Sequence, residues 1–317
     1  MVKQDSTLDL NKTIYGLLII IGIELSIFIF DKIISKDVKK ENIPKKTLAT
    51  LHLKKVEKDK FVTFSPPSKT TQHIETKTQK VKTSLIKISP KSCNDVVKIE
   101  SPLVKPILYT KSVNLDKVSI DKKKRTFIDM LLPSILLAKH HLIEDKHHVL
   151  ALLKKDKLSE SDKLWLRKKR QIFKAKSNDE LYDKMEIHPT SIIIAQAIVE
   201  SGWGTSKFFK KANNVFGIWS FSSNDKRVAA SKKRGDKIIY LKKYNSVEES
   251  IFDYMLTLST KDVYKKFREK RLETQDPFEL IKYLGNYSEL RDKYIKNLKN
   301  TIQKNKLLAY DSYRLDM

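Results

Sequence analysis

The run from Pro189 to Phe221, PTSIIIAQAIVESGWGTSKFFKKANNVFGIWSF, constrains this chain more than any other stretch. It opens as a helix that is apolar almost all round, through Ile192, Ile193, Ile194, Ala195, Ala197, Ile198 and Val199. A helix of that pattern is buried, not laid on a surface. Pro189 suits the first helical position. Gly202 suits the residue just past the end. Two polar residues interrupt the helix, Gln196 and Glu200, four apart and so on one face. A carboxylate at the end of a buried helix is the anomaly. Burial disfavours its charged form, and the negative end of the helix dipole pushes the same way. A glutamic acid still protonated near neutral pH is what a general acid needs to protonate a glycosidic oxygen. The plainer alternative is a helix-terminal Glu bonded to the glycine loop or exposed, and the helix by itself leaves both open.

The flanking residues add to this. Gln196-Ala197, then Glu200-Ser201-Gly202-Trp203-Gly204-Thr205-Ser206, then Asn213-Asn214-Val215-Phe216-Gly217-Ile218-Trp219 stand in an order and spacing that resembles the bacterial peptidoglycan glucosaminidases. These are glycoside hydrolase family 73, and the likeness is to its Bax-like subgroup. It extends more weakly from Thr126 to Ile302 and does not cover the first 125 residues. The resemblance implies a lysozyme-like catalytic domain, mostly α with a small β-hairpin lobe. It implies hydrolysis of the N-acetylglucosaminyl-β-1,4-N-acetylmuramyl bond, an endo-β-N-acetylglucosaminidase activity, with Glu200 as acid. The segment LGNYSELRDKYIKNL from Leu284 looks like the one that closes the family's domain, and the family's cleft tyrosine falls on Tyr287. Arg291 stands where the family form usually has glycine. Gln196, Trp203, Asn214, Phe216 and Trp219 become candidate substrate contacts. Phe216 and Trp219, with Tyr240, can either offer faces to sugar rings or pack a hairpin onto the helical body.

The family's second carboxylate, where present, lies in the hairpin lobe. Here the lobe offers Asp225 and Asp236, both in lysine-rich polar runs where solvated charge is the plainer reading. A substrate whose own 2-acetamido oxygen assists needs no second carboxylate, and Tyr287 would orient it. A lytic transglycosylase is the nearest rival, since it also works with one Glu. The pattern usual for that group after its Glu is absent here. Other rivals are a non-catalytic wall-binding protein and a membrane-tethered nucleic-acid binder.

The rest of the chain reads as an approach to this domain. Residues 1–13 are a short tail. Ile14 to Phe30 is nearly all apolar, and extension to Ile34 gives a transmembrane anchor over 14–34. Glu24 within it costs on the order of 3 kcal/mol, which the surrounding isoleucines and leucines offset. A signal peptide would end in a small-residue cleavage site, and Asp31-Lys32-Ile33-Ile34 supplies none. Residues 35–125 read as a basic, disordered linker. Asp31 to Arg125 holds 24 basic and 10 acidic residues, six of the nine prolines and no glycine. Apolar residues are scattered through it without period, so it is expected to bury too little to order itself. Residues 126–317 are the catalytic domain. Helices are expected over the apolar stripe from Phe127 to Leu137, over Ser159–Phe173 and from the capping box Ser246-Val247-Glu248-Glu249. Strands are expected at Val215–Phe221 and Lys237–Tyr244.

Net charge is +26 over 317 residues, which calls for an anionic partner, whether lipid, wall polymer or nucleic acid. No basic run is regularly interleaved with aromatics, which weakens a specific nucleic-acid reading. The expected partners are peptidoglycan strands and, through the linker, an anionic membrane or wall surface. No cofactor is implied. The single Cys93 allows no internal disulfide. The pairs His140-His141 and His147-His148 lack the acidic or cysteine partners that a metal site at standard spacing needs. The expected location is a bacterial inner membrane, crossed once, with the domain on the periplasmic or extracellular side.

Overall fold

The computed structural model describes residues 84–234 and 237–317. The tail, the anchor over 14–34, the first part of the linker and Asp236 lie outside the described residues. The described chain is mostly helical with few strands. Its first strands are β1 (Ile86–Ile88), β2 (Leu103–Val104) and β3 (Ile107–Tyr109). The helices follow as α1 (Ile120–Leu153), α2 (Glu160–Phe173), α3 (Asn178–Lys184), α4 (Thr190–Ser201) and α5 (Lys207–Ala212). A hairpin of β4 (Arg227–Arg234) and β5 (Lys237–Lys242) comes next. Then come α6 (Val247–Thr260), α7 (Lys265–Glu273), α8 (Pro277–Leu280), α9 (Arg291–Lys304) and β6 (Arg314–Leu315).

α1 is the long central helix. Ser119 caps it by accepting the Lys122 amide, which satisfies one of the donors a helix start leaves open. Pro133 lies inside it, neither starting nor ending it. The helix is long and apolar enough to cross a bilayer, yet 78% of its most apolar window is buried in the domain. It is therefore the core against which α4 and α6 pack. Its histidines are used at the surface. His141 Nδ1 lies 3.1 Å from Glu248, and the His148 ring meets Trp165 edge-on at 4.4 Å.

The linker expected over 35–125 is corrected from residue 84 onward. Val96, Val104, Ile107, Tyr109, Val113 and Leu115 are all buried in the same core as α1 and α4. β1 pairs in parallel with β3. β2 pairs in parallel with the C-terminal β6, Leu103 opposite Arg314. The Ser112 amide donates to Asn213 Oδ1 at 3.0 Å and its hydroxyl to the Phe209 carbonyl at 2.8 Å. The apolar residues of this strap enter the core singly, between polar neighbours. They therefore show no helix or strand period to read. Tyr109 is the strap's anchor: it is fully buried, and its hydroxyl accepts the Val97 amide at 3.0 Å. Burial pushes its pKa up to about 12. Tyr109→Phe strands that amide and is expected to cost about 1–3 kcal/mol, read as a lowered urea midpoint. An unchanged midpoint would show that this hydrogen bond contributes nothing to stability.

The hairpin lobe is present, but with a different first strand from the one expected. β4 and β5 are antiparallel, with Val228 opposite Leu241. Val215–Phe221 contributes only an isolated bridge from Trp219 to Leu241. Asn214 is the cause. Its Oδ1 accepts the Ile218 amide and its Nδ2 donates to the Ile218 and Lys242 carbonyls, each at 2.9 Å. The side chain folds 214–218 into a loop, with Gly217 at φ +66°.

Candidate active site

The site is built on α4. Ile192, Ile193, Ile194, Ala195, Ala197 and Ile198 are buried on all sides. Packing has to hold this helix, because a twelve-residue helix is marginal alone. At its end Gly202 takes the left-handed conformation, φ +58°, and returns its N–H to the Ile198 carbonyl. Ser201 Oγ donates to the Ala197 carbonyl at 2.6 Å and accepts the Gly204 amide at 3.0 Å. Gly204 sits at φ +77°, where an added Cβ would lie 2.8 Å from Phe127 Cδ2. The turn after Glu200 is thus pressed against the core, which fixes where the last turn of α4 points.

Glu200 faces a wall of tyrosines brought from α6, α9, the turn between α6 and α7, and the segment between α8 and α9. The Tyr294 hydroxyl donates to Glu200 Oε1 at 2.9 Å. The Tyr287 ring stacks on Tyr294, centroids 5.9 Å apart and planes 10° apart. Tyr254 and Tyr264 meet Tyr287 at 6.1 and 6.2 Å. Loss of solvent raises the Glu200 pKa to about 7, against the Tyr294 hydrogen bond, which lowers it. Burial, joined by repulsion from Glu200, raises the phenols of Tyr254, Tyr264, Tyr287 and Tyr294. All four stay neutral donors at physiological pH. Glu200 as a residue keeps part of its surface exposed, while the protein around it desolvates its carboxyl. No second carboxylate among the described residues contributes to its pKa.

Several expected contacts are corrected by their burial. Gln196 is fully buried and both amide atoms are engaged inside, Nε2 donating to Tyr294 at 2.9 Å and Oε1 accepting from the Tyr254 hydroxyl. Asn214, also fully buried, shapes its own loop. Phe216 stacks on Tyr254 at 4.0 Å and supports the tyrosine wall from behind. Trp203 is partly exposed, its ring edge-on to Phe127 at 5.9 Å with the Lys124 ammonium 5.2 Å away. Trp219 is partly exposed beside Phe221. Asp225 accepts from Ser220 Oγ at 2.9 Å within its own loop.

Tyr294 and Tyr254 are not among the site candidates that the sequence offers. A signal existed. Tyr294 shares its stripe with Leu298 and Ile302, and a buried phenol needs a partner for its hydroxyl. Gln196 and Glu200 are the two polar side chains of α4 with the same need.

These features define a mostly helical domain with one shielded carboxylic acid, set at the end of a buried helix against neutral phenols. Residues 175–307 match the family model described as "Glucosaminidase: Mannosyl-glycoprotein endo-beta-N-acetylglucosaminidase". This part of the chain is a glucosaminidase-family domain of the Bax-like kind. The chain is 34% identical over 93 residues to Protein bax of Escherichia coli, covering 29% of this chain and 32% of that protein. It is 58% identical over 38 residues to the Exo-glucosaminidase LytG of Bacillus subtilis, covering 12% of this chain and 13% of that one. The matched stretches thus span a third or less of either relative. Among solved structures, the catalytic domain of the autolysin Auto from Listeria monocytogenes aligns at 24% identity and a TM-score of 0.34, over 53% of this chain and 97% of that one.

Proposed function

We propose that this protein is a peptidoglycan hydrolase that cleaves the N-acetylglucosaminyl-β-1,4-N-acetylmuramyl bond. The observation that carries the reading is Glu200: a carboxyl with its pKa raised to about 7, on a partly exposed residue, beside neutral phenols. In its protonated form it donates to the glycosidic oxygen as the bond to the anomeric carbon breaks. The 2-acetamido oxygen of the substrate meets the developing positive charge, and water then opens that intermediate. Tyr287 is the candidate to orient the acetamido group. Trp203 and Trp219, both partly exposed, are the candidate sugar contacts. The net charge of +26 suits a carboxylate-bearing wall polymer. This reading puts the domain outside the cytoplasmic membrane, held there by the apolar segment 14–34.

The experiment is mass spectrometry of products from purified peptidoglycan. Hydrolysis leaves free reducing N-acetylglucosamine ends, whereas an anhydro sugar would mark a lytic transglycosylase. That second reading is favoured by the lone carboxylate at the site. The same assay carries a pH prediction. The acid works only while protonated, so kcat is expected to hold below pH 7 and to fall tenfold per unit above it, near the Glu200 pKa of about 7. A rate that rises through that range would remove Glu200 as the acid.

A further inference from the structure

The hydrogen bonds behind Glu200 form a line with a direction. Tyr294 donates to Glu200 Oε1, and Gln196 Nε2 donates to Tyr294, both at 2.9 Å. The Tyr254 hydroxyl donates to Gln196 Oε1. His188 Nε2 lies 3.3 Å from the Tyr254 hydroxyl, and its Nδ1 is buried without a partner. Burial, with repulsion from Arg271 and Lys139, pushes the His188 pKa well below its ordinary value, so the ring carries one proton. An unpaired acceptor is the cheaper orphan, so that proton belongs on Nε2, pointing at Tyr254. Each phenol has one proton to give. Tyr254 must pass its own to Gln196 Oε1, which turns the amide nitrogen toward Tyr294. Tyr294, already accepting from that nitrogen, must give its proton to Glu200. When Glu200 is ionised it can only accept, which imposes the same order from the other end.

We propose that Gln196 is a positioning residue which, through Tyr294, keeps the acidic proton of Glu200 on Oε2. The argument rests on the reading of Glu200 as the acid. An oxygen that accepts a phenol's proton takes the carbonyl role in the neutral acid, and the hydroxyl falls to the other oxygen. Among the described residues no side chain is hydrogen-bonded to Oε2, so the proton is presented to a leaving group and not spent inside. The other titratable groups facing this line are Tyr264 and Tyr287 around Glu200, Arg271 beside Tyr254 and His188, and Lys139 toward His188. None of them replaces the amide donor to Tyr294.

In Gln196→Leu the Tyr294 hydroxyl is free to turn and accept from the protonated acid. The neutral carboxyl gains a partner, so the alkaline limb of kcat is expected to move up by about half a unit to one unit. Below that limb kcat is expected to fall roughly tenfold, because the proton is drawn away from the substrate. KM stays unchanged. Tyr254→Phe, a milder change, lets the amide turn over and is expected to move the limb the same way by less. Circular-dichroism melts establish that each variant is folded, and Tyr254→Phe carries the test if Gln196→Leu is not. Infrared difference spectra against Glu200→Gln follow the carboxylic C=O stretch with pH and need no turnover. Carboxyl titrations and pH profiles that superimpose on the parent in the folded variants would overturn the proposal, as would a raised KM with kcat and limb unchanged. A titration shifted in the variants, alongside a parent protein that hydrolyses nothing, upholds the proton placement and sinks only the hydrolase reading.

Discussion

Glu200→Gln is expected to lower the release of reducing ends from purified peptidoglycan by about 10²–10⁴-fold, the usual contribution of a general acid. The amide has the size of the acid and keeps an oxygen for the Tyr294 hydroxyl, so the site should hold its shape. It cannot give up a proton near neutral pH. Wall binding should survive, which separates loss of chemistry from loss of substrate. The stability of the two proteins should diverge with pH in a direction set by linkage. The folded pKa of Glu200 lies at about 7, above the ordinary carboxyl value of 4.5. The native state therefore binds more protons between those values, and stability falls as pH rises through that window. The Gln variant lacks this decline, so it should melt higher relative to the parent at pH 8 than at pH 4. Full activity in the variant would end the enzyme reading of this residue. Equal pH dependence of the two melts would show that Glu200 is not desolvated.

Gly204→Ala is the substitution expected to damage the fold most. The residue sits at φ +77°, and a Cβ there would lie 2.8 Å from Phe127 Cδ2 and 3.1 Å from both Leu115 Cδ1 and Phe209 Cε1. All three side chains are fully buried and have nowhere to move. Overpacking of this kind costs about 1–3 kcal/mol, and the left-handed backbone adds about 1–2 kcal/mol for any residue with a Cβ. The melting temperature should fall by roughly 10 °C in a domain of this size. Gly202→Ala is the comparison. It is also left-handed, but its Cβ would meet only Thr205 Oγ1, at 3.1 Å, a side-chain end that can turn. Its cost should be near the backbone part alone. Equal melting temperatures for the two variants would contradict the account of why the turn after Glu200 is rigid.

Leu115 also shows where the sequence stopped being readable. It lies between Asn114 and Asp116, in a stretch whose composition resembles a solvated linker. Its burial exists only because α1, α5 and the turn at Gly204 leave a slot for one leucine. The central helix was legible for the opposite reason, since its apolar residues run consecutively and admit one environment. Asn214 misled in a third way. A residue of a binding-type motif turned out to hold its own loop together, and short-range side-chain bonding of that kind leaves the same sequence mark as a ligand contact.

One thing followed from the order of residues alone: a helix apolar on all sides must be buried, because that depends only on local pattern. Whether the carboxylate at its end is shielded or exposed was decided by the tyrosines that other elements bring beside it. Which phenol meets that carboxylate was decided by tertiary structure, since Tyr294 and Tyr287 lie on different elements and only packing ranks them. The same holds for Gln196. Its partners, Tyr254 and Tyr294, lie 58 and 98 residues away along the chain, and the direction of a hydrogen bond across that distance exists only once the helices are in contact.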